Sequence, residues 1–320
     1  MLTGCLRWVI LLGCYRLCSL SLHSPAIRLI LSPLQASKQV FPSVEVESLL
    51  EEAVYIHQLR NRSRDSFVER FRRSREIAAK ARDVASRKEQ VLRRLGQDMH
   101  SYSDYELVTL CWSLGTVGID YADMVEHKLW SSLESRFASL DFSHLNDSRY
   151  LMVYHHGEDI SISYKLLLFE GLAKAKVFWR KLSSSTKENL EKILYEVLVA
   201  ITQGRLDAGV ILLYVHQIDI KTKDLSDSTK KCCKDAVYSL LSSGFASTNI
   251  DFTEFMYALS NLELKLTKTD SKLKLHLKNV LRVKVSSAPL RQHSKIIYAL
   301  GVMGLRWSDL DVNTRYRLGT

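Results

Sequence analysis

The 320-residue sequence is poor in the residues that interrupt or cross-link a chain. It holds only four prolines, which with 46% hydrophobic residues favours a folded, helix-rich chain over a disordered one. Its six cysteines, Cys5, Cys14, Cys18, Cys111, Cys232 and Cys233, include no C-x-x-C pair. That pattern suggests neither a zinc site nor a disulfide framework, and so a reducing compartment or one where cysteine goes unused. No apolar run approaches the roughly 18 to 20 residues of a membrane span, and Arg7 and Arg16 interrupt the best candidate. A glycine-rich P-loop, a G-x-S-x-G elbow and an H-E-x-x-H pair are all missing. His155-His156-Gly157-Glu158-Asp159 gathers metal-binding residue types. Adjacent helical residues point about 100° apart, however, so a surface turn suits this group better than an ion site. No catalytic residue, metal or cofactor is therefore expected, and the chain does not read as an enzyme.

Charge is what the sequence has, and it is unevenly placed. Residues 1–44 carry Arg7, Arg16, Arg28 and Lys38 and no acid. Residues 60–94 carry thirteen Lys or Arg against five Asp or Glu, a surplus of eight. The net charge of +10 thus leaves the remainder at −2. A concentrated basic stretch on a near-neutral body fits a polyanion footprint, with a solvated charged helix as the plainer alternative.

Residues 1–44 read as a targeting segment. An acid-free leader that interleaves Arg, Ser and Leu suits mitochondrial import; its short apolar run, Trp8 to Tyr15, leaves a bipartite plastid leader or secretion open. Residues 45–100 follow as N-terminal helices: a short amphipathic one ending near His57, then a long basic one from Arg60 to Leu95 with no Gly or Pro. Phe71, Ala78, Ala85 and Leu92, spaced by seven, with Phe67, Ala81 and Leu95 nearby, give it a thin contact stripe. Arg72 and Glu76 are placed for an i,i+4 ion pair.

Residues 101–320 repeat. IIYALGVMGLRWSDL at 296–310 restates LCWSLGTVGIDYADM at 110–124 with a constant offset of 186: Tyr298 on Trp112, Gly301 on Gly115, Gly304 on Gly118, Trp307 on Tyr121. Ser103-x-x-Glu106 is a capping box for the first helix. A partner helix is expected from Tyr121 to Leu140, with Val125, Leu129, Leu133 and Phe137 on one stripe. More degenerate units are read at 149–179, 208–242 and 252–285, and a fifth from Ser286. Their landmarks are Ile119, Ile160, Ile220, Leu264 and Leu305, spaced 41, 60, 44 and 41. The long interval is assigned to an inserted helix near 183–203, with Ser184 or Ser185 as its N-cap. Helical pairs of this length that cannot bury an apolar face alone should stack, so the expected fold is all-α, an α-solenoid of about five degenerate helical hairpins. VEVES and LRVKVS alternate too briefly to make a sheet.

The phrases IIYALGVMG with RWSDL, TLCWSLGTVG and FMYALSNLE resemble helix A of the octotricopeptide and heptatricopeptide repeats, related to FASTK-type repeats, of organellar proteins. The resemblance covers the chain from Ser103 onward. It departs at Val153 and Leu213, where an aromatic is expected. It implies an RNA-binding α-solenoid without the RAP domain that ends many relatives. The expected function is therefore a non-catalytic, mitochondrial RNA-binding protein, as a mitochondrial ribosome component or a ribosome or RNA-maturation factor. Expected partners are RNA, foremost rRNA, and other organellar ribonucleoprotein subunits, with no integral membrane association. The alternative is a protein–protein scaffold of an organellar complex.

The candidate RNA-binding residues are Arg70, Arg72, Arg73, Arg75, Arg82, Arg87 and Lys88 on the long helix, and Lys274, Lys278 and Arg282. The last three fall at i, i+4 and i+8, opposite Leu273, Leu277, Val280 and Leu281. Such rows track phosphates without reading bases. The Gly115/Gly118 and Gly301/Gly304 pairs superficially match a nucleic-acid clamp but suit helix C-caps better. Trp112, Tyr257, Tyr298 and Trp307 could stack on bases, though aromatics at repeated helix positions are more often core.

Overall fold

The computed structural model describes residues 49–50, 52–57, 67–142, 150–155, 158–203, 208–243, 251–266 and 270–319. The leader at 1–44 lies outside them. Residues 49–50 and 52–57 are helical. Twelve longer helices follow among the described residues. They are α1 (Phe67–Gln97), α2 (Asp104–Val117), α3 (Tyr121–Glu126), α4 (Leu129–Phe137), α5 (Tyr164–Lys174), α6 (Ser184–Thr202), α7 (Ala208–Gln217), α8 (Asp227–Ser242), α9 (Phe252–Asn261), α10 (Ser271–Lys284), α11 (Leu290–Val302) and α12 (Val312–Gly319). The helical character matches the sequence, apart from one antiparallel hairpin, β1 (Tyr150–His155) and β2 (Glu158–Ser163). Its register pairs Tyr150 with Ser163 and His155 with Glu158.

Two rows organise the rest. In the first, α2 packs on α5, α5 on α7, α7 on α9 and α9 on α11. In the second, α4 packs on α6, α6 on α8, α8 on α10 and α10 on α12. One continuous apolar core runs between the rows and takes in Leu49, Leu50, Ala53 and Ile56, the end of α1 through Leu92 and Leu95, and Met99 in the turn after it. This explains why α2 and α5 are apolar nearly all round. Every residue from Tyr105 to Val117 and from Leu166 to Ala173 is buried, covered on more than one side.

Each first-row helix ends in the same way. Gly118, Lys176, Asp219, Glu263 and Gly304 all have positive φ, at 96°, 54°, 63°, 53° and 81°. The next residue, Ile119, Val177, Ile220, Leu264 or Leu305, turns its N–H back to the carbonyl five residues earlier and buries its side chain. The positive-φ residue bonds the carbonyl three earlier. This is the Schellman exit, whose left-handed residue reverses the chain and whose following aliphatic packs back.

Successive exits are joined by main-chain hydrogen bonds at equivalent positions. Tyr121 N–H donates to Ala175 C=O, Trp179 to Ile218, Thr222 to Leu262 and Leu266 to Met303, at 2.7, 2.7, 2.9 and 3.0 Å. Three of the second-row helices, α6, α8 and α12, also start alike. Ser183 and Ser226 accept from Thr186 N–H and Thr229 N–H, and Asp311 from Thr314 N–H. The N–H of Ser183 reaches Glu134 Oε1 at 2.5 Å, and that of Ser226 reaches Glu191 Oε1 at 2.6 Å, so one helix's carboxylate caps the next.

Several expectations are corrected here. The second landmark is Val177, not Ile160, which lies in β2. The long interval therefore falls between Ile119 and Val177, and what it holds is the β1–β2 hairpin and its flanks. α6 is an ordinary second-row helix, capped by Ser183 rather than Ser184 or Ser185. The helix expected from Tyr121 to Leu140 is broken at Lys128 (φ 60°) into α3 and α4. Leu129, Leu133 and Phe137 are buried as expected, but Val125 is exposed, since the break rotates it off the stripe. The capping box at Ser103 and Glu106 forms as read.

Candidate nucleic-acid interface

The long basic helix divides its cations among different tasks. Its C-terminal part docks on α4 through Leu92 and Leu95, with Ile77 and Val91 half-buried against the core. Ala78 is exposed, so the contact stripe does not run its length. Arg72, Arg75 and Arg82 project outward, and Arg82 Nε donates to the Ala78 carbonyl at 3.2 Å. Arg73 is 8% exposed and cannot reach a phosphate, so it is removed from the candidate set. Lys88 is half-buried and bound to Asp123 at 2.5 Å, with its pKa raised by that hydrogen bond; it fastens α1 to α3 and is removed too. The Arg70 and Arg87 side chains, like those of Phe67, Phe71, Ala81 and Ala85, lie outside the described ones. Glu76 accepts the Tyr55 hydroxyl, so this carboxylate ties α1 to the helical turns before it.

The second candidate row lies on α10. Leu273, Leu277, Val280 and Leu281 of α10 face the core, Arg282 is exposed, and Lys274 and Lys278 are half-buried. None of the three cations meets an acidic partner among the described residues. One turn before Lys274, Asp270 binds Lys234 of α8 at 3.0 Å. Lys234 lines a cleft of about 340 Å³ with Thr222, Lys223, Lys230, Glu263 and Lys265. Lys230 pairs with exposed Asp227 at 3.1 Å, which water and salt readily screen. Lys223 and Lys265 are exposed and have no acidic partner among the described residues. With Lys234 and Lys230 paired, Lys223 and Lys265 are the cations that the cleft leaves without an acidic partner among the described residues.

Sequence reasoning missed this cleft. Lys223, Lys230 and Lys265 belong to two corners about forty residues apart in the chain. The Thr222 N–H and hydroxyl, on Leu262 C=O and Glu263 C=O, and Lys221 Nζ on Asn261 C=O bring those corners side by side. The signal available was the recurrence of lysine just after successive exits, at Lys221, Lys223 and Lys265.

The glycine pairs and aromatics are sorted by the fold. Gly118 and Gly304 are the left-handed exit residues, not a nucleic-acid clamp. A Cβ on Gly115 would lie 2.6 Å from the Ala175 nitrogen, so this glycine permits helix contact. Trp112 is core at 1% exposure, whereas Tyr257, Tyr298 and Trp307 are exposed.

A buried polar cluster lies at the α2–α5 junction. Glu170, 6% exposed, binds Lys174 at 2.5 Å and receives the Tyr214 hydroxyl from α7. Lys174 also reaches Thr116 Oγ1 at 3.2 Å and His57 Nδ1 at 3.3 Å, and lies over the Trp112 ring. Burial pushes the Glu170 carboxyl up, but Lys174 and then His57 outweigh it and leave its pKa below the ordinary value. Burial, then the Glu170 charge, raises the Tyr214 phenol. The cluster joins four elements by satisfying one carboxylate. Burial likewise pushes the Cys111 and Cys233 thiols up to about 12, which makes them poor nucleophiles. No group of three possible metal ligands occurs among the described residues, nor is any described helix long and apolar enough to cross a membrane.

No family model, curated protein or solved structure matches this chain.

Proposed function

We propose that the chain is an α-solenoid of five degenerate helical hairpins that serves as a non-catalytic RNA-binding component of a mitochondrial ribonucleoprotein, a ribosome or RNA-maturation complex. The observation that carries this reading is a set of five cations, Lys223, Lys265, Lys274, Lys278 and Arg282, that have no acidic partner among the described residues, with the Lys234–Asp270 pair tying the cleft wall to the start of α10. A track of unpaired cations on a fixed helical scaffold suits a phosphate backbone and carries no base-reading geometry. The exposed arginines of α1, Arg72, Arg75 and Arg82, provide a second basic surface. The acid-free leader supplies the organellar half of the proposal, and the likeness to octotricopeptide-type repeats agrees with both halves.

The test is titration of a fluorescent single-stranded RNA at several salt concentrations. Each phosphate contact contributes about −0.7 to the slope of log affinity against log salt. Changing Lys223, Lys265, Lys274, Lys278 and Arg282 together to Gln should weaken binding at least tenfold and flatten the slope by about 2 to 3.5, with helicity retained. Parent-like binding by this variant would overturn the proposal and favour a scaffold role.

A further inference from the structure

At the first seam, α2 and α5 approach to backbone contact because each offers a glycine. A Cβ at Gly171 would meet the Trp112 main chain at 2.7 Å, and one at Gly115 would meet Ala175 at 2.6 Å. The seam covers Cys111 and Trp112 to 1% exposure and is locked by Tyr121 N–H on Ala175 C=O. The same surface recurs 186 residues later at the far end of the row, where Ile297, Tyr298, Gly301 and Trp307 stand for Cys111, Trp112, Gly115 and Tyr121. Here it is open. Ile297, Tyr298 and Trp307 are 38%, 57% and 44% exposed, and a Cβ at Gly301 would meet nothing within 4 Å among the described residues. Trp307 N–H stands where four equivalent groups donate across a seam, and among the described residues it has no acceptor. Val312 and Tyr316, at 69% and 73% exposure, extend the apolar surface onto α12, where a Cβ at Gly319 would lie 3.8 Å from the Trp307 ring.

We infer that this end face is a docking seam for a helical hairpin of another protein. The filled seams define the occupant: a helix bearing glycine or alanine against Tyr298, ending in a left-handed exit whose carbonyl accepts from Trp307 N–H. A second copy fits poorly. Its α2 already has His57 against Trp112, and the helical turns before His57 share the same core through Leu49, Leu50, Ala53 and Ile56, which blocks head-to-tail stacking. Face-to-face pairing would set Arg291, Lys295, Arg306 and Arg315 against their own copies, with only Asp309 and Asp311 to offset them. The occupant accordingly carries acidic residues at its rim.

The probe is a labelled synthetic peptide of residues 164–203, the α5–α6 pair that fills the first seam, and a version with Lys176→Glu, Lys181→Glu and Lys187→Glu. Each is titrated by fluorescence anisotropy into the full chain. Saturable one-to-one binding is expected, tighter for the acidic version, and more so at low salt. Gly301→Val and, independently, Tyr298→Glu should each weaken it at least tenfold with unchanged circular dichroism, while Tyr238→Ala, an exposed aromatic on α8, should not. Failure of both peptides to bind, or equal binding by the Gly301 and Tyr298 variants, would overturn the inference. So would a concentration-dependent dimer in sedimentation that Gly301→Val abolishes, because the face would then belong to a second copy.

Discussion

At the scale of single residues, the left-handed exits carry the most information. Lys176, Asp219 and Glu263 sit near φ 60°, where an L-residue is tolerated, whereas Gly118 sits at 96° and Gly304 at 81°. A branched side chain at either glycine would be strained whatever the space around it. Gly118→Val and Gly304→Val should each lower unfolding stability by more than about 1 kcal/mol in thermal or urea denaturation, without selective loss of RNA affinity. Unchanged stability with lost RNA binding would restore the clamp. The two glycine exits were legible because glycine followed by an aliphatic leaves a visible signature. The Lys, Asp and Glu exits were not, because a lysine in the left-handed region looks in sequence like any other lysine. That is why Ile160 was mistaken for the second landmark.

At the scale of elements, α1 was legible as a long helix from its lack of Gly and Pro, but its role was not. Which of its cations face outward depends on contacts with α3 and α4, and Lys88 and Arg73 turn inward. The pair of Lys88 with Asp123 is part-exposed, so Lys88→Gln should cost no more than about 1 kcal/mol globally. Amide exchange over 88–97 should nevertheless quicken relative to α2, measured by mass spectrometry. An unchanged exchange pattern would mean that Leu92 and Leu95 hold α1 alone. The β1–β2 hairpin was overlooked because its residues were already claimed by a degenerate helical pattern. Ile160-Ser161-Ile162-Ser163 alternates with period two, and Gly157 lies between the strands.

At the scale of the whole molecule, the first three helices of the first row and the turns before α1 are joined by the Glu170 cluster as well as by apolar burial. The Glu170 carboxyl has a depressed pKa in the fold. The stability it contributes is present above the unfolded value of about 4.3 and is lost as pH falls below that toward the folded value. The urea midpoint should therefore fall on acidification below about pH 4.3, and Glu170→Gln should blunt that dependence while costing about 3 kcal/mol at pH 7, since it leaves Lys174 without its counter-charge. An identical acid profile in the variant would place the acid-labile contact elsewhere. The helical character was legible in the sequence, whereas the order of neighbours and the lysine cleft required the junctions to be seen. Those junctions have a genealogical consequence. Each is coupled through main-chain N–H and C=O groups, which every residue except proline supplies in full. Substitutions can accumulate at these couplings without uncoupling them, so neighbouring hairpins descended from one ancestor could lose all mutual likeness while still meeting at the same two atoms.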